Sequence, residues 1–112
     1  LPLSPPARGR AQAILSRDPA GPDAARPEYQ LSEYLGGALP KGVQIWSKAG
    51  HNLWTGDAAT SWFKHDMIRI TAPDRAPLIA VLMTTGERFA TGTPEIFPDL
   101  GAKIWERVAA RT

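Results

Sequence analysis

The sequence contains no cysteine in its 112 residues. Disulfide bonds, cysteine nucleophiles and thiolate metal sites are therefore excluded. The absence does not fix the compartment, because a chain without cysteine suits oxidising and reducing environments alike. A long hydrophobic run is also absent. The longest one, Leu78 to Met83, is far too short to cross a bilayer, so we expect no membrane partner.

Clustered charge of one sign is missing as well. The chain has 13 Lys and Arg residues against 11 Asp and Glu residues, and the basic residues are dispersed. A nucleic-acid surface needs clustered cations that release counterions from the phosphate backbone, so we expect no nucleic-acid partner. Hydrophobic residues make up 43% of the chain, which is enough for the core of one small domain. The start, Leu1-Pro2-Leu3, lacks an initiator methionine, so we expect a processed or truncated piece that forms one segment, residues 1–112.

The pattern of apolar residues predicts an α+β fold. Ser4 followed by two prolines predicts the N-terminus of a helix that runs to about Ser16, and a short helix is predicted over residues 28–35. Three stretches have the apolar patterns of strands and are joined by loops without a helix between them, which predicts an antiparallel three-stranded sheet portion. These strands cover residues 43–48, 62–71 and 78–84.

The end of the chain predicts a C-terminal helix that packs on this sheet. An apolar stripe with helical spacing starts soon after Pro94; it consists of Ile96, Leu100, Ile104, Trp105 and Val108. No predicted element covers the outer edge of the strand 78–84, although its continuous apolar run is typical of a strand at the centre of a sheet. We therefore expect the unit to be incomplete.

The strand 43–48 ends in Lys48, and Gly50 closes it. Residues Val43 and Ile45 alternate with Trp46 and Lys48, as a pleated strand requires. A lysine at the end of an otherwise apolar strand is costly to desolvate unless it is paired or used. Taken alone, this stretch favours a lysine whose stem lies along the strand and whose ammonium group reaches solvent.

The order of several motifs changes that interpretation. A Leu39-Pro40-Lys41-Gly42 turn leads into a strand ending Ser47-Lys48-Ala49-Gly50, and a hydrophobic strand ending Thr84-Thr85-Gly86 precedes the last helix. This order resembles the C-terminal part of the serine β-lactamases and penicillin-binding transpeptidases, especially the class A β-lactamases. That family has a Leu-Pro-x-Gly turn, a strand with Lys-Thr-Gly or Lys-Ser-Gly, and a strand ending in Thr-Thr-Gly. The resemblance covers nearly the whole chain and implies the C-terminal part of a β-lactamase/transpeptidase-like fold.

The resemblance implies a role for several residues here. Lys48 corresponds to the family's triad lysine, which faces the cleft, and Gly50 to the glycine that lets a substrate approach the strand. The backbone N–H of His51 corresponds to one of two oxyanion-hole donors. The implied reaction is acyl transfer or hydrolysis of a small amide or ester substrate, β-lactams among them. The implied location is periplasmic or secreted.

The same resemblance implies what lies elsewhere. In the family the Ser-x-x-Lys helix, the Ser-Asp-Asn loop and the deacylating glutamate come before this part of the chain. We therefore expect an N-terminal segment of the same protein, carrying the nucleophilic serine, as the partner of this chain, which alone is not the enzyme. The histidines and aspartates fit no metal-ligand spacing; these are His51, His65, Asp57 and Asp66. No metal and no cofactor are expected.

Ala49 departs from the family pattern, because it lacks the hydroxyl that helps to bind a substrate carboxylate. Lys64 or His65 is predicted to take the place of the family's arginine as partner of that carboxylate. Trp54, in the loop after the strand, is predicted to line the cleft, whereas Trp46 is a candidate for the core. The alternative function is a non-catalytic binding or scaffold relative that kept the fold and lost the activity, with Ala49 as one symptom.

Overall fold

A computed structural model describes residues 2–109. Four strands form one antiparallel sheet in the order β1-β2-β3-β4. One helix precedes the sheet and one follows it; the elements are α1 (Pro5–Leu15), β1 (Ser16–Arg17), β2 (Gln44–His51), β3 (Phe63–Ala72), β4 (Arg75–Thr85) and α2 (Ile96–Ala109). The α+β class, the antiparallel order and both terminal helices are confirmed.

The predicted number of three strands is wrong. The additional strand, β1, is only two residues long and pairs with the free edge of β2, with Ser16 opposite Trp46 and Arg17 opposite Ile45. A Ser-Arg pair carries no hydrophobic alternation, so the strand has no sequence signal of its own. It forms because the chain leaving α1 runs along the edge of β2.

The two segments before β2 differ in how well the sequence predicts them. Ser4 caps α1 as predicted, with its hydroxyl oxygen accepting a hydrogen bond from the backbone N–H of Ala7 at 3.4 Å. The short helix predicted over residues 28–35 is wrong. The chain makes a single 3₁₀ turn at Pro27–Tyr29 and then enters the left-handed region at Gln30, where φ is 59°. That conformation ends any right-handed helix at Gln30.

The sheet has one buried face, and α2 packs against it. Alternate residues of β2 and β3 point into this face, as the predicted period of two requires. Its core consists of Leu31, Tyr34, Leu35, Ile45, Ala49, Ile68, Ile70, Phe97 and Trp105. The helix approaches so closely that a Cβ at Gly101 would lie 1.9 Å from the carbonyl oxygen of Leu35. Only glycine fits at this contact.

The opposite face of the sheet is open. Four of its large apolar side chains are more than half exposed; they are Met67 (53%), Ile79 (68%), Val81 (61%) and Met83 (70%). Within residues 2–109, β4 is an outer strand of the sheet. Helix α1 leans over the β2 side of this face and leaves a mostly apolar groove of about 280 Å³, lined by residues that include Leu15, Trp46 and Met67. We call the four exposed side chains the open face. No described helix is both long enough and apolar enough to traverse a bilayer.

Candidate functional site

The edge of β2 that faces away from β3 pairs with β1 only at Ile45 and Trp46 and is free of strand pairing from Ser47 onward within residues 2–109. The N–H of Asn52 donates to the carbonyl oxygen of Phe63 at 3.0 Å, and the register pairs Gly50 with His65. Hydrogen-bonded and non-hydrogen-bonded pairs alternate in an antiparallel ladder. The backbone groups of Ala49 and His51 therefore point away from β3, toward the free edge.

Lys48 brings a positive charge to this edge. Its side chain is exposed on the sheet face opposite to the core, and its Nζ donates to the side-chain oxygen Oε1 of Gln30 at 3.0 Å and to the carbonyl oxygen of Ala49. The N–H of Ala49 donates to the same Oε1 at 3.1 Å. The ammonium group is thus paired with polar groups along the edge of β2, on the exposed side of the sheet.

Two residues have backbone conformations that are uncommon for residues other than glycine. Gln30 has a φ of 59° and Trp62, which precedes β3, has a φ of 62°. Such conformations cost about 1–3 kcal/mol each and persist where the surrounding structure determines them. Gln30 was missed from the sequence, because a glutamine 18 positions before the lysine it contacts belongs to no recognisable pattern.

Gly50 and His51 have different surroundings. A Cβ at Gly50 would meet no atom within 4 Å, so the strand surface there is open. The imidazole of His51 is held on both nitrogens, with Nε2 at 2.6 Å from the carbonyl oxygen of Ala90 and Nδ1 at 3.5 Å from the hydroxyl of Tyr34. Because a carbonyl oxygen only accepts, Nε2 carries the proton and donates. The ring is therefore anchored by Ala90 and Tyr34, whereas the backbone N–H of His51 points to the edge of β2.

Lys64 lies on the buried face, opposite to Lys48. Its Nζ donates to the carbonyl oxygen of Glu33 at 2.7 Å and lies 4.7 Å and 4.6 Å from the ring centroids of Tyr34 and Phe97. Burial lowers the pKa of Lys64. The structure does not bring Lys64 and Lys48 together on one face.

Of the two other predicted substrate contacts, His65 lies on the exposed face of the sheet and Trp54 lies in the loop after β2. His65 is opposite Gly50 in β3 and stacks on Phe63, with ring centroids 5.5 Å apart. Its Nδ1 accepts from the N–H of Thr84 at 3.2 Å, so its Nε2 carries a proton that it can donate. Trp54 is 58% exposed in the loop after β2 and lies 6.4 Å from the ring of Trp62.

One pair with the spacing of the family's nucleophile motif was missed from the sequence: Ser61 and Lys64 form a Ser-x-x-Lys. The pair leads into a strand, where residues three apart point to opposite faces. The hydroxyl of Ser61 is buried, donates to the carbonyl oxygen of Asp57 at 2.6 Å and accepts from the N–H of Thr55 at 2.8 Å. Ser61 therefore stabilises the loop, and Lys64 is engaged elsewhere.

The candidate metal ligands do not converge. Asp57 caps a 3₁₀ turn through the N–H of Ala59, and Asp66 is buried on the face opposite to His65. Across residues 2–109, no three His, Asp or Glu side chains form a group that could hold an ion.

Comparison with known proteins relates the fold, though not the sequence, to a known class. No protein-family model matches the chain, and no curated protein matches it. Among solved structures, a class A β-lactamase from Mycobacterium abscessus matches with a TM-score of 0.62 and 18% identity, over 96% of this chain and 35% of that one. The chain thus spans about a third of the length of that protein. At this identity the likeness concerns the fold alone, and the chain has a β-lactamase-like fold.

Proposed function

We propose that this chain is the C-terminal part of a serine hydrolase with the β-lactamase-like fold, which transfers or hydrolyses the acyl group of a small amide or ester. The hydroxyl of a serine on the N-terminal segment gives its proton to a base of that segment and adds to the substrate carbonyl, whose oxygen becomes an oxyanion. Collapse of this intermediate expels the amine or alcohol of the substrate, and water or another acceptor then takes the acyl group from the serine. The N–H of His51 donates to that oxyanion, and Lys48 supplies positive charge at the edge of β2. One donor of this kind is worth about 2.7–4 kcal/mol of transition-state stabilisation.

The observation that carries the proposal is the free edge of β2. An outward backbone N–H at His51, an open strand surface at Gly50 and the ammonium group of Lys48 lie within four consecutive residues. An extended substrate can add to such an edge through backbone hydrogen bonds. No other strand end among the described residues combines these features with a lysine on the exposed face.

The open face supports the partner in this proposal. Four large apolar side chains in one patch are unusual on the surface of a finished soluble domain, and no strand in the described part of the chain pairs with the outer edge of β4. The chain spans only 35% of the matched β-lactamase. In a protein with that whole fold, the remaining part of the chain is available to cover the open face and the outer edge of β4. We assign this role to the N-terminal segment that carries the nucleophile.

The remaining substrate contacts follow from which face each side chain occupies. His65 shares the sheet face of Lys48, and in the proposal its Nε2–H donates to a polar group of the substrate. Trp54 lines the cleft from the loop after β2. Lys64 is left out, because its ammonium group is buried on the other face and donates to Glu33.

The proposal is tested by intact-mass spectrometry of the protein after incubation with a penicillin and with an acylating serine probe. We expect the adduct on the polypeptide that carries the N-terminal segment, and none on the 12.1 kDa chain. Lys48→Ala should slow acylation by at least about tenfold, or about 1.4 kcal/mol, and Lys48→Arg by less. Lys41→Ala, an exposed lysine before β2, is the matched control. Absence of any adduct with either reagent, in protein that contains both segments, would overturn the proposal.

A non-catalytic binding or scaffold protein is the second candidate. It is favoured by Ala49, which lacks a hydroxyl, and by the side chain of Gln30, which occupies donors at the edge of β2. This candidate predicts no acylation by any probe, together with saturable and reversible binding of the same compounds.

A further inference from the structure

The side-chain oxygen of Gln30 occupies the place where a ligand oxygen would meet β2. Its Oε1 accepts from the backbone N–H of Ala49 at 3.1 Å and from Nζ of Lys48 at 3.0 Å. One outward N–H and one ammonium group that converge on a single oxygen form a charge-assisted donor pair, which suits a carboxylate oxygen best. A neutral amide fills it instead.

The backbone holds this amide in place. Gln30 follows the 3₁₀ turn Pro27–Tyr29, and its N–H donates to the carbonyl oxygen of Pro27 at 3.0 Å. Its φ of 59° is uncommon for a glutamine. The next residue, Leu31, is 3% exposed in the core, so the chain is anchored directly after the strained position. The amide is therefore presented to β2 by a fixed turn.

We propose that Gln30 is a specificity-determining residue, which caps the donor pair of Lys48 and Ala49 and excludes small carboxylates from the edge of β2. Because the amide oxygen of Gln30 already accepts from both donors, an incoming carboxylate must displace it before it can reach them. Ligands that present a neutral carbonyl elsewhere along the edge meet no such competition. We therefore expect the substrates to be acyl compounds that have no carboxylate beside the reacting carbonyl. This inference of a substrate class rests on the proposed function.

The cap is tested by direct binding, without reference to catalysis. The protein is labelled with ¹⁵N and titrated with benzoate or with neutral benzamide at constant ionic strength, and the amide signal of Ala49 is followed. In Gln30→Asn we expect a saturable shift with benzoate and a much smaller one with benzamide. Asparagine tolerates the left-handed conformation, so the turn is kept. Its side chain is shorter by one methylene group and is expected not to reach the N–H of Ala49, so the donor pair is left open. The wild type should show no saturable shift of Ala49.

Two controls identify the donors. Gln30→Asn combined with Lys48→Ala should lose at least about tenfold in benzoate affinity, because the charged donor is gone. Gln44→Ala, an exposed glutamine on the same strand, should behave as the wild type. Equal benzoate binding by the wild type and Gln30→Asn would overturn the inference, and so would the absence of a saturable shift at Ala49 in Gln30→Asn.

Substrate selectivity is measured separately in protein that becomes acylated. Gln30→Asn should raise kcat/KM for an acyl substrate with an adjacent carboxylate by about tenfold relative to its neutral analogue, mainly through KM. An unchanged ratio would refute the role of Gln30 in selectivity. If no substrate acylates the protein, the proposed function fails, whereas the benzoate titration still decides whether Gln30 caps the edge.

Discussion

The carboxylate of Asp66 accepts a hydrogen bond at 2.9 Å from the backbone N–H of Leu35, 31 positions earlier in the chain. Its other oxygen, Oδ1, is buried and has no hydrogen-bond partner among residues 2–109. Burial raises the pKa of Asp66 to about 6. This contact ties the turn that carries Leu35 to the middle of β3, directly beneath the helix α2, which packs on Leu35 at Gly101.

Asp66 should make the stability of the protein fall as the pH rises from about 4 to about 6. The folded-state pKa lies above the unfolded value, so the folded state binds more protons in this window and loses that advantage as the pH passes about 6. The shift corresponds to about 3 kcal/mol at most. Asp66→Asn keeps the shape and removes the titration, so its stability relative to the wild type should increase between pH 4 and pH 6.

Urea unfolding at several pH values measures this difference. Asp74→Asn, an exposed carboxylate in the β3–β4 turn, is the matched control and should run parallel to the wild type. A constant difference between Asp66→Asn and the wild type across the window would contradict the prediction.

Lys64 should stabilise the fold rather than bind a substrate. Lys64→Ala removes the hydrogen bond to Glu33 and the contacts with the rings of Tyr34 and Phe97, and it leaves a void and an unpaired carbonyl oxygen. We expect a loss of about 2–4 kcal/mol in the free energy of unfolding. Lys64→Met keeps the stem and should lose less than half as much, whereas Lys41→Ala should be neutral.

Chemical denaturation of the three variants checks this order. A Lys64→Ala protein as stable as the wild type, with weakened binding of acyl compounds, would return Lys64 to the substrate site that the sequence suggested.

The sequence predicts the sheet and α2 well because their signals are local. The alternation around Ile45 and the helical stripe that contains Trp105 depend on burial of one face, which a period of two or of 3.6 records directly. The segment before β2 is different. Its apolar residues suggest a helix over residues 28–35, but Gln30 adopts a left-handed conformation. Its side chain contacts Ala49, which is far along the chain and outside any local pattern.

The site is predictable only in part for the same reason. A sequence motif selects Lys48 and His51 as candidates, and the sheet register then orients them. The face that Lys64 occupies depends instead on where β3 begins. An offset of one residue in a strand exchanges the two faces. The sequence could not separate Lys64 from His65 for this reason, and the start of β3 at Phe63 places them on opposite sides.

Gly101 should be intolerant of any side chain. In Gly101→Ala the new Cβ would lie 1.9 Å from the carbonyl oxygen of Leu35, so α2 must move away from the core that contains Phe97 and Trp105. We expect a loss of about 3 kcal/mol or more in unfolding free energy. Gly9→Ala, in α1, meets no atom within 4 Å and should gain about 0.5–1 kcal/mol from helix propensity.

Thermal unfolding followed by tryptophan fluorescence distinguishes the two glycine variants. Equal effects of the two substitutions would mean that α2 does not pack as closely on Leu35 as the structure has it.

The open face should matter for association and not for the stability of this chain. Ile79→Thr, Val81→Thr and Met83→Gln replace side chains that are 61–70% exposed and keep residues compatible with a strand, so each should change the unfolding free energy by no more than about 0.5 kcal/mol. If the N-terminal segment covers this face, the triple variant should bind that segment at least about 100-fold more weakly, because burial of apolar area drives such docking. Isothermal titration of the two segments measures this, with Leu53→Thr, an exposed leucine in the loop after β2, as the control. Undiminished binding by the triple variant would show that the partner segment attaches elsewhere. The outer edge of β4 would then be the next surface to alter, because an exposed strand edge is itself a template for pairing.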